Sequence, residues 1–269
     1  LACGSLAGRL GYLLDGRHRR ITLDNLRAAY GDAVDERWRR RVARRCWRHF
    51  GRITFDSLSI YALPRRRLDA LLSYEGLEHV REAYARGRGV LFVSGHFGHW
   101  ELTALMQGYL GFPLALVARR LDNPELERIL IDLRQRSGNR VIHKHDALRE
   151  MLRALREKLG VALLIDQDAR GDGIFVPFFG RPASTTPALG LLAIRTGAPV
   201  IPTFTVPLDD GTYRVHYGRP VEPRHTGDRQ QDAAWLTARC TEIIEEWVRR
   251  HPEAWLWMHR RWKTRPPPN

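Results

Sequence analysis

Cysteine is scarce. Cys3, Cys46 and Cys240 are odd in number and far apart, so they offer neither a disulfide framework nor zinc-ligand spacing, and they suit a reducing compartment. Long apolar runs are missing as well: nothing reaches the ~18 apolar residues that a membrane-crossing helix needs. Residues 1–14, rich in Leu and Ala, are too short to span a bilayer. They read either as the tail of a membrane anchor or as an amphipathic helix, and a start at Leu1 rather than Met points to a segment upstream. Acidic side chains are in deficit, 30 against 44 basic ones, leaving a net charge of +14 that is mostly arginine. Such an excess fits a polyanionic partner (nucleic acid, anionic membrane, phosphorylated lipid or acidic protein) or a solvated arginine-rich surface. Internal repeats and low-complexity linkers are absent too.

Apolar residues at 43% in 269 residues can build a sizeable core. Residues 17–63 read as helical. Asp35 can cap a run Glu36–Phe50 in which Trp38, Val42, Cys46 and Phe50 fall every four residues, with seven Arg on the remaining faces. The stripe is expected to face the core, and the arginines suit solvent or an anionic lipid surface.

From residue 86 strands and helices alternate. Strands are expected at 90–94, 114–118, 140–143, 161–165 and 199–206, and helices at 99–109, 124–136, 146–158 and 186–196. An alternating strand at Tyr213–Tyr217 and a long helix at Arg229–Arg250 follow. Alternation of this kind predicts an α/β fold, a mostly parallel sheet covered on both faces. The simplest organisation is one αβα domain over residues 1–269: a basic helical part at 1–63, then an α/β core from 86 to 269.

The chemistry gathers at strand ends. Val90–Val93 runs into Ser94-Gly95-His96, a second glycine at 98, and the helical run that contains Glu101. A His followed five residues later by an acid arises about once by chance in a chain of this composition, and His145…Glu150 is a second instance. Only His96…Glu101 sits at a glycine-rich strand-to-helix turn, where open α/β sheets place ligands. The two are expected to form a catalytic pair. The second strand ends in Arg119-Arg120 and a helix start at Asp122-Asn123-Pro124, an anion-binding corner or a plain capped helix. The fourth ends in Asp166-Gln167-Asp168, whose acids demand partners but lack calcium-loop spacing, so no metal is expected. Phe175–Arg181, with Phe178-Phe179-Gly180, is either ordinary packing or the wall of an acyl channel. The tail, with Trp255, Trp257 and Trp262 among basic residues, fits core packing, a lipid interface or nucleic-acid stacking.

Five ordered blocks carry a resemblance: Gly95–Leu102, Leu121–Pro124, Asp166–Asp168, Phe178–Gly180 and Trp255–Pro266. Together, over residues 20–266, they resemble the bacterial lipid A biosynthesis acyltransferases of the lauroyl and myristoyl type, within the glycerolipid acyltransferase superfamily. His99 departs from the asparagine common there. The resemblance implies a glycerol-3-phosphate-acyltransferase-like fold and O-acyl transfer from an acyl-carrier-protein or coenzyme A thioester to a hydroxyl of a phosphorylated glycolipid. No cofactor and no nucleic acid are expected. The implied location is the cytoplasmic face of the inner membrane, beside anionic lipid. His96 would be the general base and Glu101 its orienter. Arg119 and Arg134 are candidates to stabilise the oxyanion, and Asn123, Asp166, Gln167, Asp168, Phe178, Phe179 and Gly180 would line the substrate site. A serine hydrolase using Ser94 is a rival, but the G-x-S-x-G elbow is missing.

Overall fold

A computed structural model describes residues 2–60, 63–118, 123–143 and 147–267. Three helices come first: α1 (Ala2–Leu14), α2 (Gly16–Tyr30) and α3 (Glu36–Ile60). α1 lies on α3 through small residues. A Cβ on Gly8 would stand 2.1 Å from the Trp47 carbonyl oxygen, and one on Gly51 2.5 Å from Gly4, so the two backbones meet without side chains between them. The expected stripe on α3 is core: Val42, Cys46 and Phe50 are buried, whereas Arg37, Arg41, Arg44, Arg45 and Arg48 are exposed.

After α4 (Arg65–Asp69) comes a short strand that periodicity did not reveal, β1 (Leu72–Glu75), then α5 (Leu77–Ala85). The alternating core follows as β2 (Val90–Ser94), α6 (Trp100–Tyr109), β3 (Leu114–Ala118), α7 (Pro124–Gln135), β4 (Arg140–His143), α8 (Ala147–Arg156) and β5 (Gly160–Leu164). A hairpin, β6 (Ile174–Phe178) and β7 (Arg181–Thr185), leads into α9 (Ala188–Thr196), β8 (Val200–Pro207), β9 (Tyr213–Tyr217) and α10 (Arg229–Arg250). Each expected strand and helix is present to within a few residues. The hairpin occupies a stretch where the sequence pattern predicts no strand.

The main sheet runs β1-β9-β8-β2-β5-β3-β4. Only the β8–β9 pair within it is antiparallel, as a mostly parallel sheet requires. Helices cover both faces, which is why its central strands are apolar on successive residues. On one face Phe92, Leu114 and Ile201 pack with Val80 and Ala83 of α5 and with Ala104 of α6. On the other, Leu91, Val93 and Leu163 pack with Met151 of α8, Leu189 of α9 and Ile244 of α10. At 25 cal/mol per Å², burying one such side chain contributes about 1.5–3 kcal/mol. Among the described residues no helix is long and apolar enough to cross a membrane.

Candidate active site

Strand register sets the geometry. β2 and β5 are parallel neighbours, with Ser94 opposite Leu164. Two residues further on, His96 and Asp166 therefore stand level at the carboxyl edge of the sheet. His96 Nδ1 lies 2.8 Å from Asp166 Oδ1, and the His96 backbone N–H donates to Asp166 Oδ2 at 2.7 Å. Trp255 donates its indole N–H to the same oxygen at 2.7 Å. The approach needs glycine at position 95, where a Cβ would stand 2.9 Å from Asp166 Oδ2.

The hydrogen bonds of the structure differ from the expected pairing. The residue that orients His96 is Asp166, and the Glu101 carboxylate is engaged by Arg134, whose Nε and guanidinium NH2 donate to it at 3.2 and 2.5 Å. The physical reason is position: Glu101 lies in the first turn of α6, facing α7, whereas Asp166 emerges from the neighbouring strand at the level of the imidazole. Glu101 stays near enough for its charge to act on His96.

The electrostatics follow from burial. Loss of water alone would push the His96 pKa down, but the charge and hydrogen bond of Asp166, helped by the charge of Glu101, outweigh it and raise the pKa above 6.5. Burial pushes the Asp166 carboxyl up, yet the imidazole's charge and the hydrogen bonds from His96 and Trp255 prevail and hold it below its usual range. With Nδ1–H donated to Asp166, Nε2 carries the lone pair and accepts from the Gln167 amide at 3.2 Å.

His96 and Gln167 sit at a cavity of about 960 Å³ whose other walls include Trp100, Glu101, Arg134, Asp168 and a large share of apolar side chains. It straddles the carboxyl edge of the sheet. Phe92, Leu114 and Ala162 belong to its lining on the α6 face, and Val117 and Leu163 on the face of α8 and α9. Ser94 also lines it, but His96 gives both ring nitrogens to Asp166 and Gln167, an arrangement that does not serve a serine nucleophile.

The other candidates divide. Arg134, Gln167 and Asp168 reach the cavity. Asp168 also accepts from the Thr264 hydroxyl at 2.9 Å, and its backbone N–H donates to His259 Nε2 at 3.0 Å. Asn123 caps α7 by accepting from the Glu125 backbone N–H at 3.0 Å. Arg119 lies outside the described residues, as do Asp122 and His145. Phe178, Phe179 and Gly180 do not line the cavity. Phe179 and Gly180, both at positive φ, form the two-residue turn between β6 and β7, and the two Phe rings pack among Tyr30, Trp255, Trp257 and Trp262. Rings that large gain more from that aromatic cluster than from an open wall. Among the described residues no cluster of His, Cys, Asp and Glu could hold a metal ion.

The tail proves structural. Trp255 and Trp257 are buried, and Arg261 is fully buried, donating to the Gln167 and Ser184 carbonyls at 3.3 and 2.6 Å. Asn25 of α2 clamps the same segment, donating to the Trp257 and His259 carbonyls at 2.7 and 2.6 Å. Sequence reasoning missed both roles, and that of Asp166 as partner of His96. The available signal for the last was its position: both residues stand just past the ends of buried strands.

A family model described as bacterial lipid A biosynthesis acyltransferase matches residues 2–264. The chain is 29% identical over 269 residues to the lipid A biosynthesis lauroyltransferase of Escherichia coli, covering 99% of this chain and 85% of that protein. It is 30% identical over 253 residues to the palmitoleoyltransferase of the same organism, covering 93% and 80%. Similarity extends to a phosphatidylinositol mannoside acyltransferase of Mycobacterium tuberculosis, 27% identical over 201 residues, covering 73% and 61%.

Proposed function

The chain belongs to the bacterial lipid A biosynthesis acyltransferase family and is an acyltransferase, and on that premise we propose that it carries a fatty acyl group from an acyl-carrier-protein thioester to a hydroxyl of a lipid A precursor. The observation that carries this reading is a half-buried His96 paired with a buried Asp166, its Nε2 lone pair turned to a large, mainly apolar cavity.

An alcohol is a poor nucleophile near neutral pH, so a base must take its proton as attack occurs. His96 Nε2 is that base once the acceptor hydroxyl displaces the Gln167 amide. Asp166 fixes the tautomer and stabilises the imidazolium that forms, and Glu101 adds negative charge from a distance. Charge develops on the thioester oxygen in the transition state. Arg134, oriented by Glu101 at the cavity wall, supplies a cation for it. Collapse breaks the C–S bond, and the imidazolium returns its proton to the departing thiolate.

The surface fits a membrane-bound lipid acceptor. α1 exposes Leu6, Leu10, Leu13 and Leu14, and the neighbouring α3 exposes its arginines. An apolar strip beside guanidinium groups suits the interface of an anionic bilayer, consistent with action at the cytoplasmic face of the inner membrane. The same positive field would draw acidic carrier protein and acceptor phosphates. A second reading keeps the mechanism and changes the acceptor to another glycolipid, in line with the similarity to a phosphatidylinositol mannoside acyltransferase.

The test is His96→Ala, assayed by mass spectrometry for transfer from a lauroyl-carrier-protein thioester to a tetraacylated lipid A precursor. Transfer is expected to vanish while the circular dichroism spectrum stays native; near-normal turnover would overturn the proposal. Comparing lipids of cells with and without the gene separates the two acceptors.

A further inference from the structure

The cavity is not one trough. A strand sends successive side chains to opposite faces, and the lining contains both members of such neighbours: Leu116 with Val117, and Ala162 with Leu163. The hollow therefore forks around the sheet edge into two arms that meet at His96, the one on the α6 face carrying Thr103 and Thr205 beside its apolar residues. One runs under α6, between Ala104 and the strand residues Phe92 and Leu114, to Gln107. Gln107 is 1% exposed. Its Oε1 accepts from the Tyr217 hydroxyl at 3.3 Å, and among the described residues its Nε2 has no partner, so this arm is closed and its floor is polar. The other arm runs between α8 and α9, past Met151, and ends at Leu148 and Leu191, which are 51% and 42% exposed. That arm is open.

Building on acyl transfer as proposed above, we infer that the arms bind two different hydrocarbon chains at once: the donor's in the closed arm and the acceptor's own acyl chain in the open arm. One linear chain cannot fill both, because the sheet stands between them. A thioester-borne chain enters end first, and a closed arm with a polar floor measures its length, since a methyl end gains nothing by pressing on an unpaired amide. The acceptor is a lipid whose chains remain partly in the bilayer, and an arm rimmed by exposed leucines lets one chain pass from lipid to site. Both reacting groups then meet at His96 Nε2. The hydroxyl proton goes to the imidazole, the oxygen bonds to the carbonyl carbon, the C–S bond breaks, and the thiolate leaves as the thiol with that proton.

The experiment measures steady-state transfer with saturated acyl-carrier-protein thioesters of graded length and two acceptors, a tetraacylated glucosamine disaccharide phosphate and its deacylated form. Ala104→Phe, which narrows the closed arm, should move the preferred donor to shorter chains with acceptor KM changed less than about twofold. Gln107→Ala should move it to longer chains, and it decides the point if Ala104→Phe does not fold. Leu191→Asp, at an exposed position, should raise KM for the acylated acceptor about tenfold or more, the expected loss for one leucine contact, and leave donor preference alone. Both classes of variant acting on the same substrate would overturn the division of arms. So would equal use of the deacylated acceptor. A wild-type enzyme that transfers to neither acceptor would instead sink the lipid A acceptor reading on which the inference rests.

Discussion

Trp255 and His96, from opposite ends of the α/β core, donate to one buried carboxylate, Asp166, from 89 and 70 residues away in sequence. A buried anion is tolerated only when donors surround it, and here the same donors fix the imidazole. Asp166→Asn should therefore keep the packing and lower kcat roughly 10²–10⁴-fold, the range seen when the acid behind a catalytic histidine is neutralised. Trp255→Phe keeps a six-membered aromatic ring but removes one donor to a charged group and leaves a void in the core, so it should cost at least about 1.5–3 kcal/mol in stability. Urea denaturation measures the second, and single-turnover assays the first.

The pH profile should carry the imprint of the pair. Because Asp166 and Glu101 raise the His96 pKa against the effect of burial, the base form is lost as pH falls through a value above 6.5. The acid limb of kcat/KM should have its midpoint there. Glu101→Gln removes part of the negative field and should move that midpoint down; an unchanged midpoint would contradict the electrostatic role of Glu101.

Arg134 and Glu101 share a two-point contact with side chains only 16% and 23% exposed. Removing either breaks this contact at the cavity wall, so Glu101→Ala and Arg134→Ala should each lower kcat/KM strongly and the double variant little further. The coupling in a double-mutant cycle is expected at about 1–3 kcal/mol. Simple additivity would mean that the two act separately.

Gly98 turns the chain from the catalytic loop into α6 with φ of +58°, and a Cβ there would stand 1.6 Å from the Thr205 carbonyl oxygen. Gly98→Ala should destabilise the protein by more than about 3 kcal/mol, in the tail of single-mutation effects. Gly171→Ala, with nothing within 4 Å of its added Cβ, is the matched control and should melt like wild type.

Two buried imidazoles should make the fold acid-sensitive. Burial, aided by nearby positive groups, pushes His49 down to about 4 and His99 down to about 3. The unfolded chain takes up these protons near 6.5 and the folded one does not, so stability is complete above 6.5 and falls as pH drops toward 4. The slope is about 1.4 kcal/mol per pH unit for each group. His96 works in the opposite sense, its raised pKa adding stability at low pH that is lost as pH rises through the folded value. Urea midpoints near pH 7.5 and pH 5 measure the balance, and a higher midpoint at pH 5 would contradict it.

What sequence reading could reach follows the range of the forces involved. Val90–Val93 reads as a buried strand because each of its residues is apolar, and α3 shows its core stripe in a spacing of four; both are local patterns. The His96–Asp166 contact depends on which strands are neighbours and in what register, information that a linear pattern does not hold. Glu101 shares with His96 a glycine-rich strand-to-helix turn, which is why the sequence pairs them, although the helix turn aims its carboxylate at Arg134. Phe178 and Phe179 look like a channel wall until the three tryptophans packed against them are known.

The clamp made by the tail has a consequence for synthesis. Asp166 takes one of its three donors from Trp255, Asp168 is held by His259 and Thr264, and Arg261 ties Gln167 to β7. These residues leave the ribosome after every other part of the site. A nascent chain can thus pair β2 with β5 and bring His96 to Asp166 before that carboxylate has its third donor, and the site gains its last hydrogen bonds only when residues 255–264 have been made.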